Sequence, residues 1–186
     1  MHGKLEDKML NVMRAAGAFV LAASVAAPAL AMTPGKVLGT AVVDGFTVNE
    51  LRFPTVARLM KPTVASGAVT TGTNATGTNP YDGSALAGAP FLSLDNGGSV
   101  TYVLKHPAAW VALIWGTPDS YNYVSLYDTS GALIGTLNGG DISTAFGFSY
   151  GHYLQIVSPK LVGSVAASSA GCCFEMGNQA ARGGGL

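Results

Sequence analysis

The second half of the chain alternates apolar and polar residues over short stretches, the pattern of strands that bury one face. Residues 121–127 place tyrosines and a serine on one side, and Asn122, Val124 and Leu126 on the other. Residues 109–115 are continuously apolar, which indicates a strand buried on both faces. The same criteria predict further strands at 99–104, 132–137, 153–157, 161–167 and 173–176.

Clusters of Gly, Asn, Asp and Pro separate these stretches. Asn and Asp tolerate turn geometry and Gly supplies positive φ, so each cluster predicts a tight turn. Such clusters lie at 79–83, 95–98, 128–131 and 138–141. Strands of five to seven residues joined by these turns predict an all-β fold, an antiparallel β-sandwich or jelly roll.

The residues before this region are less regular. Residues 32–61 fit a strand or, near Pro54, a short helical turn. Residues 63–78 are rich in Thr, Gly, Ala and Ser, which predicts a strand that runs into a loop.

Residues 1–31 have the layout of a signal peptide. A basic start precedes an uncharged stretch, from 15 to 31, that ends in Ala29-Leu30-Ala31, the small-x-small pattern that signal peptidase cleaves. A membrane anchor or an amphipathic helix is the alternative, but spanning a bilayer takes about 20 strongly apolar residues. We expect a signal helix at 1–31 cleaved after Ala31, an exported domain at 32–178 and a disordered Gly/Ala-rich tail at 179–186.

Charge is sparse and balanced. Charged residues make up 11% of the chain, with ten basic and ten acidic side chains. A nucleic-acid partner is therefore not expected, because binding phosphates requires a basic face. No stretch after residue 31 is apolar for long enough to predict a membrane-spanning helix.

Motifs for catalysis or metal binding are not recognisable. Gly-x-Ser-x-Gly and phosphate-loop spacings do not occur. His106 and His152 stand alone, without metal-ligand spacing, and are predicted to lie in turns or on the surface. The sequence therefore predicts no enzyme, no cofactor and no bound metal.

The two cysteines, Cys172 and Cys173, are adjacent. Neighbours on a strand point to opposite faces, and bridging them would require a distorted peptide. We therefore expect an intermolecular disulfide or a buried thiol rather than a bond between the two.

One segment carries a family resemblance. Residues 115–122 read Trp-Gly-Thr-Pro-Asp-Ser-Tyr-Asn, followed by Gly139-Gly140-Asp141 and, near the end, Phe174-Glu175. This arrangement resembles the β-domain of the exosortase-dependent PEP-CTERM surface proteins of Gram-negative bacteria, over roughly residues 79–178. The resemblance implies export, attachment to the cell surface or extracellular matrix, and no known catalytic residues.

The end of the chain departs from that family. Gly177 stands where the family has Asp, and a Pro-Glu-Pro sorting motif with an apolar helix and a basic cluster does not follow. Either the protein is a variant released without anchoring, or the gene is truncated or frame-shifted near Cys173. The Cys-Cys and Gly-Gly-Gly runs favour truncation.

Two groups of residues are candidates for binding. Asp119, Tyr121, Asn122 and Asp128 offer oxygen ligands suited to calcium, although Asp119 and Asn122 holding the loop by hydrogen bonds to its backbone is the favoured interpretation. Tyr121, Tyr123 and Tyr127, with Trp110 and Trp115, would stack on sugar rings if exposed, although packing in the core is favoured. The ligand-binding candidates are therefore Asp119, Tyr121, Asn122, Tyr123 and Tyr127.

Two functions follow from these observations. The first is a non-catalytic exported surface or extracellular-matrix protein with a structural or adhesive sandwich. The alternative is a secreted carbohydrate-binding module that uses an aromatic face. The expected partners are exopolysaccharide or other cell-surface components, and exposure of the tyrosines distinguishes the two functions.

Overall fold

A computed structural model of the chain describes residues 36–56, 59–66, 69–71, 79–81 and 83–181. The predicted signal segment and residues 182–186 lie outside the described residues. The elements follow in the order β1 Val37–Val43, β2 Phe46–Leu51, β3 Val64–Ser66, β4 Val69–Thr71, β5 Leu92–Leu94, β6 Ser99–Trp115, β7 Asn122–Asp128, β8 Leu133–Asn138, α1 Gly139–Phe146, β9 His152–Ser169 and β10 Phe174–Ala181.

Every strand pairing is antiparallel, which confirms the predicted all-β class. The strand order is β1-β2-β9-β6-β10-β5-β4, with β3 added on β6 and the hairpin β7–β8 added on β9. None of the described helices is long and apolar enough to cross a membrane.

Two long strands organise the sheet. β6 and β9 pair along their length, with register irregularities between Val103 and Trp110. The first part of β9 pairs with β2 and its last part pairs with β7. Because irregularities of this kind bend a strand, the sheet curls, and one apolar cluster joins side chains from β2, β6, β7, β9 and β10.

The expectation of uniformly short strands is wrong for β6 and β9. The predicted strands at 99–104 and 109–115 are the two parts of β6, and those at 153–157 and 161–167 are the two parts of β9. Pro107 and Pro159 lie in the gaps between the predicted parts. Proline has no N–H to donate to a ladder, and each lies exposed where its strand is irregular or unpaired.

Two other boundaries also differ from prediction. The predicted turn at 138–141 is the start of α1: Asn138 caps the helix by accepting a bond from the Gly140 N–H, and Asp141 lies in its first turn. β10 continues to Ala181, and Gln179 is buried, so the domain extends past its predicted end at Asn178.

The continuous apolar run at 109–115 is buried on both faces over its last five residues, as predicted. Val111, Leu113 and Trp115 belong to the main core. Ile114 points the other way, into a second cluster with Tyr81 and Phe91. This doubly covered strand leads directly into the loop that carries the family resemblance.

Candidate functional site

Residues from three distant segments meet at one end of the sandwich. We call this region the motif end; it comprises the loop 116–122, Gly139 with Gly140, and residues 171–175. Trp115 is fully buried at its base, with its ring centroid 4.9 Å from that of Phe174. The Gly116 N–H donates to the Glu175 carbonyl at 2.7 Å. A Cβ at Gly116 would lie 2.8 Å from the Glu175 Cβ, so only glycine fits there.

Asn122 fixes the loops of the motif end to one another. Its side chain is fully buried. Its Nδ2 donates to the Thr117 carbonyl at 3.1 Å and to the Cys173 carbonyl at 3.2 Å, and its Oδ1 accepts from the Ser169 hydroxyl at 2.9 Å. Asn122 therefore ties the β6–β7 loop to the β9–β10 loop, the structural role favoured by the sequence.

Glu175 places a carboxyl group inside the motif end. Its side chain is fully buried, its Oε2 accepts from the Thr117 hydroxyl at 3.3 Å, and its Oε1 has no hydrogen-bond partner among the described residues. Burial raises the pKa of Glu175 above its ordinary value, and the nearby Asp119 carboxylate adds to the shift.

Gly139 and Asn138 close the motif end from the side of α1. A Cβ at Gly139 would lie 2.3 Å from the Asp119 carbonyl oxygen, which makes glycine obligatory there. The Asn138 Nδ2 donates to the Ser120 carbonyl at 2.7 Å. The segments that carry the family resemblance thus come together, and their shared role is to close one end of the core.

The calcium arrangement considered from the sequence does not assemble. Asp119 and Asp128 lie at opposite ends of β7, and the Asp128 Oδ1 accepts from the backbone N–H groups of Ser130 and Ala132 at 2.8 and 3.0 Å. The hydroxyl and N–H of Ser130 and the N–H of Ala132 lower the pKa of Asp128. Within the described part of the chain, no group of three or more His, Cys, Asp or Glu side chains is placed to hold a metal ion.

The Asp119 side chain was expected to hold the loop by accepting backbone hydrogen bonds, but the backbone of Asp119 makes these bonds instead. Its backbone N–H donates to the Thr117 carbonyl and its carbonyl accepts from the Asn122 N–H, both at 3.0 Å. Among the described residues its carboxylate accepts no backbone N–H. That carboxylate faces Tyr121, whose pKa is raised first by burial of the phenol and then by Asp119. The backbone and Asn122 order the loop.

The adjacent cysteines are bonded to each other, which corrects the expectation of an intermolecular bridge or a buried thiol. Cys172 and Cys173 form a disulfide. Cys173 adopts a φ of 64°, a left-handed conformation, so the two residues do not continue a regular strand. The pair lies beside Gly171, where a Cβ would lie 2.7 Å from the Tyr121 ring.

β7 presents a second surface on its outer side. Tyr123, Ser125 and Tyr127 point outward and are half-buried, while Val124 and Leu126 beneath them are fully buried. Core packing was the favoured expectation for these tyrosines, and it is wrong because the buried face of β7 is the opposite one. Trp115, in contrast, is in the core as predicted, and Trp110 is half-buried.

Uncharged residues, most of them small, continue this surface across the neighbouring strands. Ser125 lies between Thr136 of β8 and Ala166 of β9, and the Ser125 and Thr136 hydroxyl oxygens are 2.8 Å apart. Further strand pairs add Ser99 and Thr101 of β6. We call this surface the tyrosine face; its outward side chains are Tyr123, Ser125, Tyr127, Leu133, Thr136, Ser164, Ala166, Ser168, Ser99, Thr101 and Val103.

His152 is a polar residue that sequence inspection misplaced. It is buried, with its Nδ1 2.6 Å from the Glu50 carboxylate and its Nε2 3.0 Å from the Gly147 carbonyl oxygen. Each ring nitrogen of His152 thus has an oxygen partner from a different segment of the chain. The nearest partner in sequence is five residues away and the other 102, so no local spacing identifies the pair. His106, in contrast, is exposed, as predicted.

Comparisons with known proteins add little to this description. No family model matches the chain, and no curated protein matches it. Among solved structures, the chain is similar to the CBM51-2 and INT domains of Clostridium perfringens ZmpB, with a TM-score of 0.35 and 9% sequence identity. The similarity covers 78% of this chain and spans 40% of the length of that one.

Proposed function

We propose that this protein is an exported, non-catalytic component of the bacterial surface or extracellular matrix that adheres to uncharged polysaccharide through its tyrosine face. The signal-like segment at 1–31 and the resemblance to PEP-CTERM surface proteins support the cellular setting. The outward orientation of the half-buried Tyr123 and Tyr127, on the side of β7 away from the core, favours carbohydrate adhesion over a purely structural role.

The observation that carries the proposal is the composition of the tyrosine face. Tyr123 and Tyr127 stand on one side of it, about 13 Å apart along the strand at the usual rise per residue. The neighbouring positions on β9 carry the short side chains of Ser164, Ala166 and Ser168, so the two tyrosine rings project above them. None of its outward side chains is charged.

Such a surface suits a neutral sugar chain. Tyrosine offers an apolar ring to the C–H face of a pyranose and a hydroxyl for hydrogen bonding. Ser and Thr hydroxyls both donate and accept, as sugar hydroxyls do. A strand spacing of about 4.8 Å gives the five strands from β8 to β3 a width of roughly 19 Å, enough to contact several residues of a polymer.

Binding to neutral polysaccharide gels tests the proposal. The purified protein is electrophoresed through gels that contain neutral or no polysaccharide, and retardation is measured. Tyr123→Ala and Tyr127→Ala should each weaken binding about two- to tenfold, the scale of one aromatic contact. Val42→Ala is the control, because it removes an apolar side chain, 77% exposed, from strand β1, outside the tyrosine face.

Thermal melts accompany the binding assay, since both tyrosine variants should retain the wild-type melting temperature within a few degrees. Equal binding by the wild type and both tyrosine variants contradicts the role of the tyrosine face. Finding the full-length chain uncleaved in the cytoplasm of the bacterium contradicts the cellular setting. The two outcomes are independent.

A further inference from the structure

An open groove is lined by residues that belong to neither the motif end nor the tyrosine face. Its volume is about 660 Å³, within the range of small-ligand sites. Three segments form it: the chain after β2, the turn that follows Tyr81, and the loop before β9. Its lining residues include Arg52, Phe53, Ser84, Ser149, Tyr150 and Gly151.

The wall formed by the loop 147–151 is fixed at both ends. The Gly147 N–H donates to the Ser143 carbonyl at 2.9 Å, and the Gly147 carbonyl accepts from His152. Gly151 has a φ of 150°, and a Cβ there would lie 2.4 Å from the Pro80 carbonyl oxygen. Only glycine brings the loop this close to the opposite wall. The groove is therefore part of the folded domain.

Aromatic rings face the groove from two sides. Phe53 packs partly into the cluster of Tyr81, Phe91 and Ile114, which holds it in place. Tyr150 is 58% exposed and meets Phe148 edge-on, with ring centroids 6.0 Å apart. An exposed aromatic side chain at the rim of a groove is suited to stacking against a ring of the ligand.

Arg52 is the one charged side chain among the described residues that line the groove. Its side chain is exposed, and among the described residues it forms no ion pair. The neighbouring Glu50 carboxylate is bonded to His152 and does not neutralise it. A guanidinium presents donors in a fork that matches a carboxylate.

We infer that this groove is a second ligand site, which binds a pyranose ring that carries a carboxylate. Tyr150 and Phe53 contact the faces of the sugar and Arg52 binds its acid group. This site is separate from the tyrosine face and takes a ligand of different charge, so it does not depend on the proposed function.

Trigalacturonic acid and its methyl ester are matched probes for the groove. They share ring shape and length, and they differ in the carboxylate charge that Arg52 is expected to bind. Isothermal titration at low salt should give at least tenfold tighter binding of the acid by the wild type. Added salt should weaken binding of the acid and leave binding of the ester nearly unchanged.

Three variants locate the site. Arg52→Gln should abolish the preference for the acid while binding of the ester stays within twofold. Tyr150→Ala should weaken binding of both probes. Lys160→Gln is the control for loss of one exposed positive charge, and it should leave both affinities unchanged.

The proposal is overturned if the wild type binds acid and ester equally or binds neither. It is also overturned if Lys160→Gln has the same effect as Arg52→Gln, because the preference would then reflect net charge. Tyr127→Ala distinguishes this site from the tyrosine face, since it should leave binding of the acid intact.

Discussion

The two sides of β7 behave differently although they alternate along a single strand. Asn122, Val124 and Leu126 are completely buried, and Asn122 holds two loops together through its side chain. Tyr123 and Tyr127, one residue away in each case, reach the surface. Of the binding candidates on this strand, Asn122 of the resemblance motif is on the buried side, and Tyr123 and Tyr127 are on the other. Under the proposed function, stability and recognition occupy opposite faces of β7, and substitutions should separate them.

The largest effect is expected at the base of the motif end. Trp115→Ala should lower the free energy of unfolding by about 3–5 kcal/mol, because it removes a fully buried indole that packs on Phe174. Trp110→Ala is the matched control: the same change on the same strand at a half-buried position should cost clearly less. Denaturant titration measures both, and equal losses would contradict the assignment of Trp115 to the core.

Asn122→Ala should follow, with a loss of about 2–4 kcal/mol, since it leaves the carbonyls of Thr117 and Cys173 and the Ser169 hydroxyl without this partner. Tyr123→Ala, on the next residue and the opposite face, should cost less than 1 kcal/mol, as typical surface changes do. The same titration compares the two. A larger loss at Tyr123 than at Asn122 would reverse the comparison between the faces of β7.

Glu175→Gln should stabilise the protein at neutral pH by about 1 kcal/mol, because it removes a buried charge with one unpartnered oxygen. The raised pKa of Glu175 means that the folded state binds the proton more tightly than the unfolded chain. Its unfavourable effect therefore grows as pH rises above the ordinary range of glutamate and vanishes below it. The advantage of the variant should disappear in acid.

Asp128→Asn is the control for Glu175→Gln, because it should change the stability at neutral pH in the opposite direction. Hydrogen bonds lower the pKa of Asp128, so its carboxylate stabilises the folded state above the ordinary range of aspartate and loses that effect in acid. The variant should therefore be less stable than the wild type at neutral pH and converge with it in acid. Melting temperatures measured across pH separate the two variants, and a shared sign would contradict the placement of Glu175 in the interior.

The sequence predicted local structure best where periodicity was clear. The alternation in β7, the turns at 95–98 and 128–131, and the double burial of the end of β6 all appear as expected. Long-range features were not predictable. Pro107 and Pro159 look like strand breaks locally, yet each lies inside a long strand whose partner shares the bend.

The candidate site illustrates the same limit. Alternation placed the tyrosines on one face of β7, but which face is buried depends on how β9 and β6 pack, and the sequence gives no register for that packing. The His152–Glu50 pair and the groove near Arg52 join residues that are far apart in the chain. Adjacent cysteines argued against a bond between them, because strand geometry was assumed where the chain turns at Cys173.

The smallest change in stability is expected at Asp119. Variants at this position test whether the motif end binds calcium. Asp119→Asn and Asp119→Ala should both change the free energy of unfolding by less than about 0.5 kcal/mol, because the backbone and Asn122 hold the loop. If instead the Asp119 carboxylate and the unpartnered Glu175 oxygen together bound calcium, the ion would stabilise the folded state by mass action. Thermal melts with calcium and with chelator should coincide for the wild type and both variants. A wild-type melting temperature that rises with calcium, while Asp119→Ala stays flat, would show that the motif end binds a ligand, and the separation between a structural and a binding face of β7 would fail.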